Sequence, residues 1–142
     1  MRHLLDTNVV SELIAREPDP RVVQWVDDLD PHGVYLSVVT VGELQKGVEK
    51  LPDSRRKRDL REWLEGDLLV RFDGRILIFD VGAMLAWGAM MGRLERVGMP
   101  LPAMDSIIAA LAIHHDCTLA TRNEADFEGT GVRVANPWGQ DA

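Results

Sequence analysis

The strand-like stretches of this chain are apolar nearly throughout, and that property constrains its fold more than any other. Leu4 and Leu5, the β-branched run Val34 to Val39 broken by Ser37, Cys117 to Ala120, and Val132 to Ala135 are too apolar to leave one face in water. Between them lie segments whose apolar residues recur at helical spacing. Val9, Val10, Leu13 and Ile14 mark one helix. Val22, Val23, Trp25, Val26 and Leu29 mark a second, with Asp19 as its cap and Pro20 at its first position. Further helices are expected from Thr40 to about Leu51, from Asp53 to Glu65, from Asp80 to Arg96 and from Asp105 to His115. In the Asp80 helix, Met84, Leu85, Trp87, Ala89 and Met91 are expected to be largely buried. The short apolar runs Leu68 to Phe72 and Ile76 to Phe79 read as strands or connectors, and periodicity does not separate the first from a helix turn. Strands buried on both faces need helices on both sides. The expected fold is therefore α/β, a three-layer α/β/α sandwich with a mainly parallel sheet. A length of 142 residues, 46% of them apolar, suits a single domain spanning 1–142.

Sixteen Lys and Arg stand against 23 Asp and Glu, a formal charge of -7, which argues against an extensive basic surface for nucleic acid. The basic residues are unevenly spread, however. Arg55, Arg56, Lys57, Arg58 and Arg61 fall in one short segment, interleaved with Asp53, Asp59 and Glu62. The segment reads either as a solvated helix face or as a local contact for substrate or partner. Cys117 is the only cysteine, which excludes an intrachain disulfide and a CxxC zinc site, and it suits a small buried hydrophobe. The nearly apolar run from Ile76 to Gly92 carries Asp80 and falls short of the roughly 20 residues a bilayer requires. The opening MRHLLDTN puts a carboxylate at position 6 and does not read as a secretory signal, so the cytoplasm is the expected location.

A parallel sheet gathers its loops at the carboxyl ends of the strands. Asp6, Glu43, Asp105 and Asp126 all fall near strand ends or helix starts in this layout. Each has a purely structural explanation. Asp6 caps the helix after the first strand, Glu43 completes a capping box with Thr40, Asp105 favours a first helical turn, and Asp126 lies on a solvent-facing turn. Taken together, carboxylates meeting at one sheet edge repel one another and need a cation to stay ionised. Oxygen donors without a Cys and His cluster select Mg²⁺ or Mn²⁺ over structural zinc. Such an ion activates water and offsets charge on a phosphoryl group, the requirements of phosphodiester hydrolysis without a covalent nucleophile. Two other acidic-site chemistries fit poorly. Asn8 stands where an aspartyl phosphatase needs its second carboxylate, and no Lys follows Lys57 to serve a phospho-acceptor domain. A nonenzymatic dimeric scaffold or partner-binding protein is the alternative from another class.

The segments LLDTNVVSELI, SVVTVGELQKGV, LPAMDSIIAALAIHHDCTLATRNEADFEG and VANPW resemble the PIN-domain family, most closely the VapC-type toxins of toxin–antitoxin pairs. The resemblance covers nearly the whole chain. It implies a small α/β/α domain, a Mg²⁺- or Mn²⁺-dependent endoribonuclease activity, a homodimer, and inhibition by a cognate VapB-type antitoxin. It assigns the metal ligands to Asp6, Glu43, Asp105 and Asp126, and their polar supports to Thr7, Asn8, Thr121 and Asn123. Some members carry an acid at the third position of the TRN segment, so Asn123 is also a possible direct ligand or support, with Asp126 as its partner. Arg122 adjoins the expected site, where it would either meet a phosphate or pair with Glu124 or Asp126. The leading local patch for RNA is Arg55, Arg56 and Arg58, and the fitting target is an exposed single strand, a loop or a structured RNA. His114 and His115 suit termination of their helix, Trp138 closes the end of the sheet, and Trp25, Trp63 and Trp87 read as core or interface residues. An antitoxin helix would cover apolar residues around Trp25 or Trp63.

Overall fold

In the computed structural model, which describes residues 1–139, the two leucines of the first strand point to opposite sides of a sheet. Leu4 of β1 (Arg2–Leu5) packs with Met90, Leu94, Ile108, Leu111 and Leu119, while Leu5 packs with Val9, Val22, Leu36, Leu64 and Ala120. Neighbouring strand residues alternate between faces, so two cores on one strand mean helices on both sides. The same division separates Leu119 from Ala120 in β4 (Cys117–Ala120). Each fully buried leucine contributes about 1.5–3 kcal/mol relative to exposure, which explains why these short strands are apolar at consecutive positions.

With β2 (Val34–Ser37), β3 (Ile76–Leu77) and β5 (Val134–Ala135), the strands form one sheet in the order β3-β2-β1-β4-β5, every pair parallel. Leu4 lies opposite both Tyr35 and Leu119, so β1 is central. The chain first builds outward from β1 through β2 to β3, then returns to the other side of β1 for β4 and β5. That reversal opens a crevice at the carboxyl ends of β1 and its neighbours. Helix α1 (Thr7–Leu13) leaves β1 at once. Helix α2 (Pro20–Asp27) starts as its sequence predicts, the Asp19 carboxylate accepting from the Arg21 amide and Pro20 occupying its first position. Helix α3 (Val38–Glu49) follows β2, and α4 (Arg55–Glu62) lies beyond it. A wide, π-type turn (Trp63–Leu68) then runs into the short α5 (Leu69–Arg71). Helices α6 (Val81–Arg96) and α7 (Ala103–His114) pack against each other on the other face. Gly82 permits one close approach there, since a Cβ would come within 2.9 Å of the His114 ring.

Several expectations from sequence are corrected or settled by the structure. The second strand ends at Ser37 rather than Val39, because the Ser37 hydroxyl accepts from the Thr40 amide and starts α3 two residues before Thr40. Glu43 is therefore not the partner in a Thr40 capping box. Leu68 to Phe72, open from sequence between strand, connector and helix turn, is helical: Leu64, Leu68 and Phe72 recur every four residues and are all buried. The run Ile76 to Phe79, open between strand and connector, is a strand only at Ile76 and Leu77, and the last strand covers Val134 and Ala135 rather than Val132 to Ala135. In α6, Met84 and Leu85 are 49% and 71% exposed and Ala89 is exposed, while Ala83, Met90, Met91 and Leu94 carry the buried stripe toward α7. Met91 and half-buried Trp87 follow the expectation. Cys117 is buried and free.

Candidate active site

Strand β1 ends one residue before Asp6, whose amide still donates to the Ala120 carbonyl of β4 at 2.9 Å. This bond fixes the aspartate at the crevice between the two strands, only 6% exposed. Its carboxylate accepts from the Thr7 amide at 2.7 Å and from the Thr121 hydroxyl at 2.8 Å, with the Asn8 amide group 3.5 Å away. Asp6 is thus the cap of α1, as its structural explanation requires, yet its second oxygen is held from across the crevice by Thr121. Thr121 is fully buried at the end of β4, and its oxygen also accepts from Asn8 Nδ2 at 3.2 Å and from the Asn123 amide at 3.1 Å.

Glu43 arrives from the second turn of α3. Its Oε1 accepts from the Thr7 hydroxyl at 2.5 Å, and the Thr40 hydroxyl lies 3.1 Å from the same Thr7 oxygen. Fully buried Thr40 is itself within 3.4 Å of the Ser37 hydroxyl, so a line of hydroxyls runs from the end of β2 to Glu43. Asp105 stands in the first turn of α7, where the helix dipole favours a negative charge. Asp6, Glu43 and Asp105 line one open cleft of about 490 Å³, together with Thr7, Asn8, Ser11, Glu12, Arg122, Asn123 and Trp138.

The electrostatics record how near the acids are. Burial pushes the Asp6 carboxyl above its ordinary value, against the pull of the Thr121 and Thr7 hydrogen bonds, and the charges of Glu43 and Asp126 push it the same way. Asp105 is raised too, by burial first and then by Asp6, Asp126 and Glu43. Asp126 lies on the 3-10 turn Glu124–Phe127 and is exposed. Its charge reaches the site, but the cleft wall at this point is Asn123. Among the described residues, no three Asp, Glu, His or Cys side chains are arranged to hold a metal ion together. The acids share a cleft and a field, and the oxygens of Asp6 and Glu43 are engaged by hydroxyls and amides.

Arg122 lines the same cleft and stacks on the Trp138 ring, 5.1 Å from its centroid, instead of pairing with Glu124 or Asp126. Arg55 and Arg56 line a separate groove with Arg16, Asp59, Leu60 and Trp63, and Arg58 is on the same exposed helix, so the basic cluster is not brought to the carboxylates. Sequence reasoning missed Ser11 and Glu12, although they follow Asn8 by three and four residues on one face of α1. It also missed the role of Trp138 as cleft wall.

Residues 3–132 match the family model for the PIN domain. The chain belongs to the PIN-domain family. This PIN domain is 42% identical over 135 residues to the toxin FitB of Neisseria gonorrhoeae, an alignment covering 95% of this chain and 97% of FitB. It is 38% identical over 135 residues to the VapC ribonuclease Y4jK of Sinorhizobium fredii, covering 95% and 96% of the two chains. Among solved structures, one of FitAB bound to an IR36 DNA fragment superposes with a TM-score of 0.92 at 39% identity, covering 99% of this PIN domain and 98% of the matched chain.

Proposed function

We propose that this PIN domain is a metal-dependent endoribonuclease that acts as the toxin of a toxin–antitoxin pair, hydrolysing RNA phosphodiester bonds with water. The observation that carries the reading is the convergence of Asp6, Glu43 and Asp105 from three elements on one cleft, in a chain this similar to a protein named toxin and another named ribonuclease.

By donor chemistry the set suits a hard divalent cation, Mg²⁺ or Mn²⁺, although among the described residues no three of these side chains are gathered round one point. Every candidate ligand is a carboxylate or amide oxygen, and Asp6 and Asp105 are raised by burial first and by their acidic neighbours second, both costs of ionisation that a cation would offset. Asp6, Glu43 and Asp105 would hold it, with Asp126 or Asn123 completing the set from the TRN segment. Such an ion supplies positive charge that acidifies water and offsets charge on the phosphoryl oxygens. The chain's own residues orient the donors. Thr121 and the Thr7 amide fix both oxygens of Asp6, while the Thr7 hydroxyl turns Glu43 into the cleft. Asn8 ties the two sides together by donating to Thr121 and accepting from the Arg122 amide. No side chain has to act as covalent nucleophile.

The partners follow from the same reading. The similar solved structure is of FitAB bound to a DNA fragment, and in this reading a cognate antitoxin restrains this chain. The apolar groove lined by Val10, Leu13, Val26, Trp63, Leu68 and Phe72 suits a partner helix. Exposed Val81, Met84 and Leu85 on α6, with Val38 and Met104 lining an apolar groove nearby, suit a second copy of the chain. Among the described residues no helix is long and apolar enough to cross a membrane.

The test is cleavage of total RNA by the purified, partner-free protein with Mg²⁺, with Mn²⁺ and with chelator, beside Asp105→Asn. Cuts that need the ion and vanish in the variant are expected. Absence of cuts together with absence of ion binding would favour the nonenzymatic scaffold.

A further inference from the structure

Within the described residues, the wall of the carboxylate cleft carries a single cation, Arg122. A guanidinium beside four acids would ordinarily pair with one of them, yet among the described residues no carboxylate lies within ion-pair distance of it. Its place is fixed in two other ways. Its backbone amide donates to Asn8 Oδ1 at 3.3 Å, which links it through Asn8 to Thr121 and Asp6. Its guanidinium lies over the Trp138 ring, and that ring is anchored in the core on the α1 and α2 side of the sheet, only 7% exposed. The Trp138 amide in turn donates to Asn136 Oδ1 at 2.9 Å, so the platform is held by its own turn.

The guanidinium is held over the ring by cation–π attraction and makes no side-chain hydrogen bond among the described residues, so its five N–H donors are open. An exposed, preoriented fork with unused donors, in a cleft of otherwise negative charge, matches an anion that arrives with the substrate. Its position separates it from the reacting centre. Glu43 and Asp105 enter the cleft from α3 and α7, whereas Arg122 enters it from the segment after β4, beside Trp138. Arg122 is exposed and therefore occupies the rim of the cleft on the Trp138 side.

We propose that Arg122, shelved on Trp138, binds an RNA backbone phosphate adjacent to the one being cut, and so sets the path of the strand across the carboxylates. The inference rests on the ribonuclease reading and adds the residue that grips the strand. A flanking contact is made equally in the ground state and the transition state, so its loss raises KM and leaves kcat nearly unchanged.

Two measurements test it. In cleavage assays, Arg122→Ala is expected to raise KM by about ten-fold or more while kcat stays within about three-fold, and Arg122→Lys to recover part of the loss, since a point charge lacks the fork. In binding assays, single-stranded RNA of mixed sequence is titrated against the Asp105→Asn protein, with and without Arg122→Ala, across a salt series. Loss of one phosphate contact is expected to lower the log–log salt slope by about 0.7, and the Lys variant to keep it. Arg122 is exposed, so these variants keep the fold, and thermal unfolding checks this. An unchanged KM with an unchanged slope overturns the inference, as does a large fall in kcat at constant KM. Failure of the wild-type protein to cut any RNA with Mg²⁺ or Mn²⁺ refutes the nuclease reading instead. The salt slope then still decides whether Arg122 holds a phosphate.

Discussion

Replacing Thr121 by Val tests how the central carboxylate is held. The side chain is fully buried, and its one hydroxyl serves three partners: it donates to Asp6 and accepts from Asn8 Nδ2 and the Asn123 amide. Val keeps the shape and removes all three bonds. A hydrogen bond to a charged group contributes about 1.5–3 kcal/mol, and donors left short of an acceptor add roughly 1 kcal/mol more. The expected loss is about 3 kcal/mol, which for a domain of this size lowers Tm by roughly 6–12 °C.

The loss must also depend on pH, with a sign fixed by Asp6. Burial raises this carboxyl in the fold, so its ionisation opposes folding. The stability is fully present below the unfolded value of about 3.9 and declines as pH rises through the raised folded value. Thr121 pulls the folded value down. Without that pull Asp6 titrates higher still, and every further unit adds about 1.4 kcal/mol to the penalty at neutral pH. Urea unfolding of wild type, Thr121→Val and Thr121→Ser at pH 4.5 and pH 7 measures this. The Val variant is expected to lose more at pH 7 than at pH 4.5, and Ser to restore most of the difference. Equal losses at the two pH values would refute the argument that the hydroxyl supports an ionised Asp6.

Other perturbations follow from the same packing and charges. Asp105→Asn removes a carboxylate raised by burial and by its acidic neighbours, so at pH 7 without divalent ions the variant should melt above wild type; added Mg²⁺ should then raise Tm in wild type and much less in the variant. Leu111→Ala, at a fully buried position between α6 and the sheet, should lower the unfolding free energy by about 2–5 kcal/mol in a urea titration. Gly92→Ala should raise it by about 0.5–1 kcal/mol, because a Cβ there meets nothing within 4 Å and the helix loses its most flexible residue.

The layers were legible because short runs apolar at consecutive positions, such as Leu4 and Leu5, alternate with helix-spaced segments, a pattern that strands covered on two sides explain. Asp6 was legible for a related reason: a carboxylate directly after such a strand must emerge at the sheet's edge. The start of α3 was less so. Both Ser37 and Thr40 are good caps by type, and the choice falls on Ser37 because β2 runs out of partners there, its last paired residue facing Leu77 at the end of the short β3. The wide turn at Trp63–Leu68 was hidden by Gly66 and Asp67, which look like a break, although burial of Leu64, Leu68 and Phe72 continues the helix through them. In α6, apolar residues cover most of the helix, and spacing alone does not say which stripe meets α7. Trp138 was legible as a closing residue for the sheet, but its contact with Arg122 joins segments 16 residues apart that no local pattern links.

The central claim is that this cleft directs water at the phosphodiester bond, and the ends of the cut RNA report the attacking group directly. Mass spectrometry of fragments from a Mg²⁺-containing digest by the wild-type protein should find a monoester phosphate on one end and a hydroxyl on the other, with no cyclic phosphate, and a 2′-O-methyl group at the scissile position should still permit cutting. Fragments ending in 2′,3′-cyclic phosphate, produced equally by Asp105→Asn, would mean that the RNA's own 2′-hydroxyl attacks, and would contradict the role given to Asp6, Glu43 and Asp105.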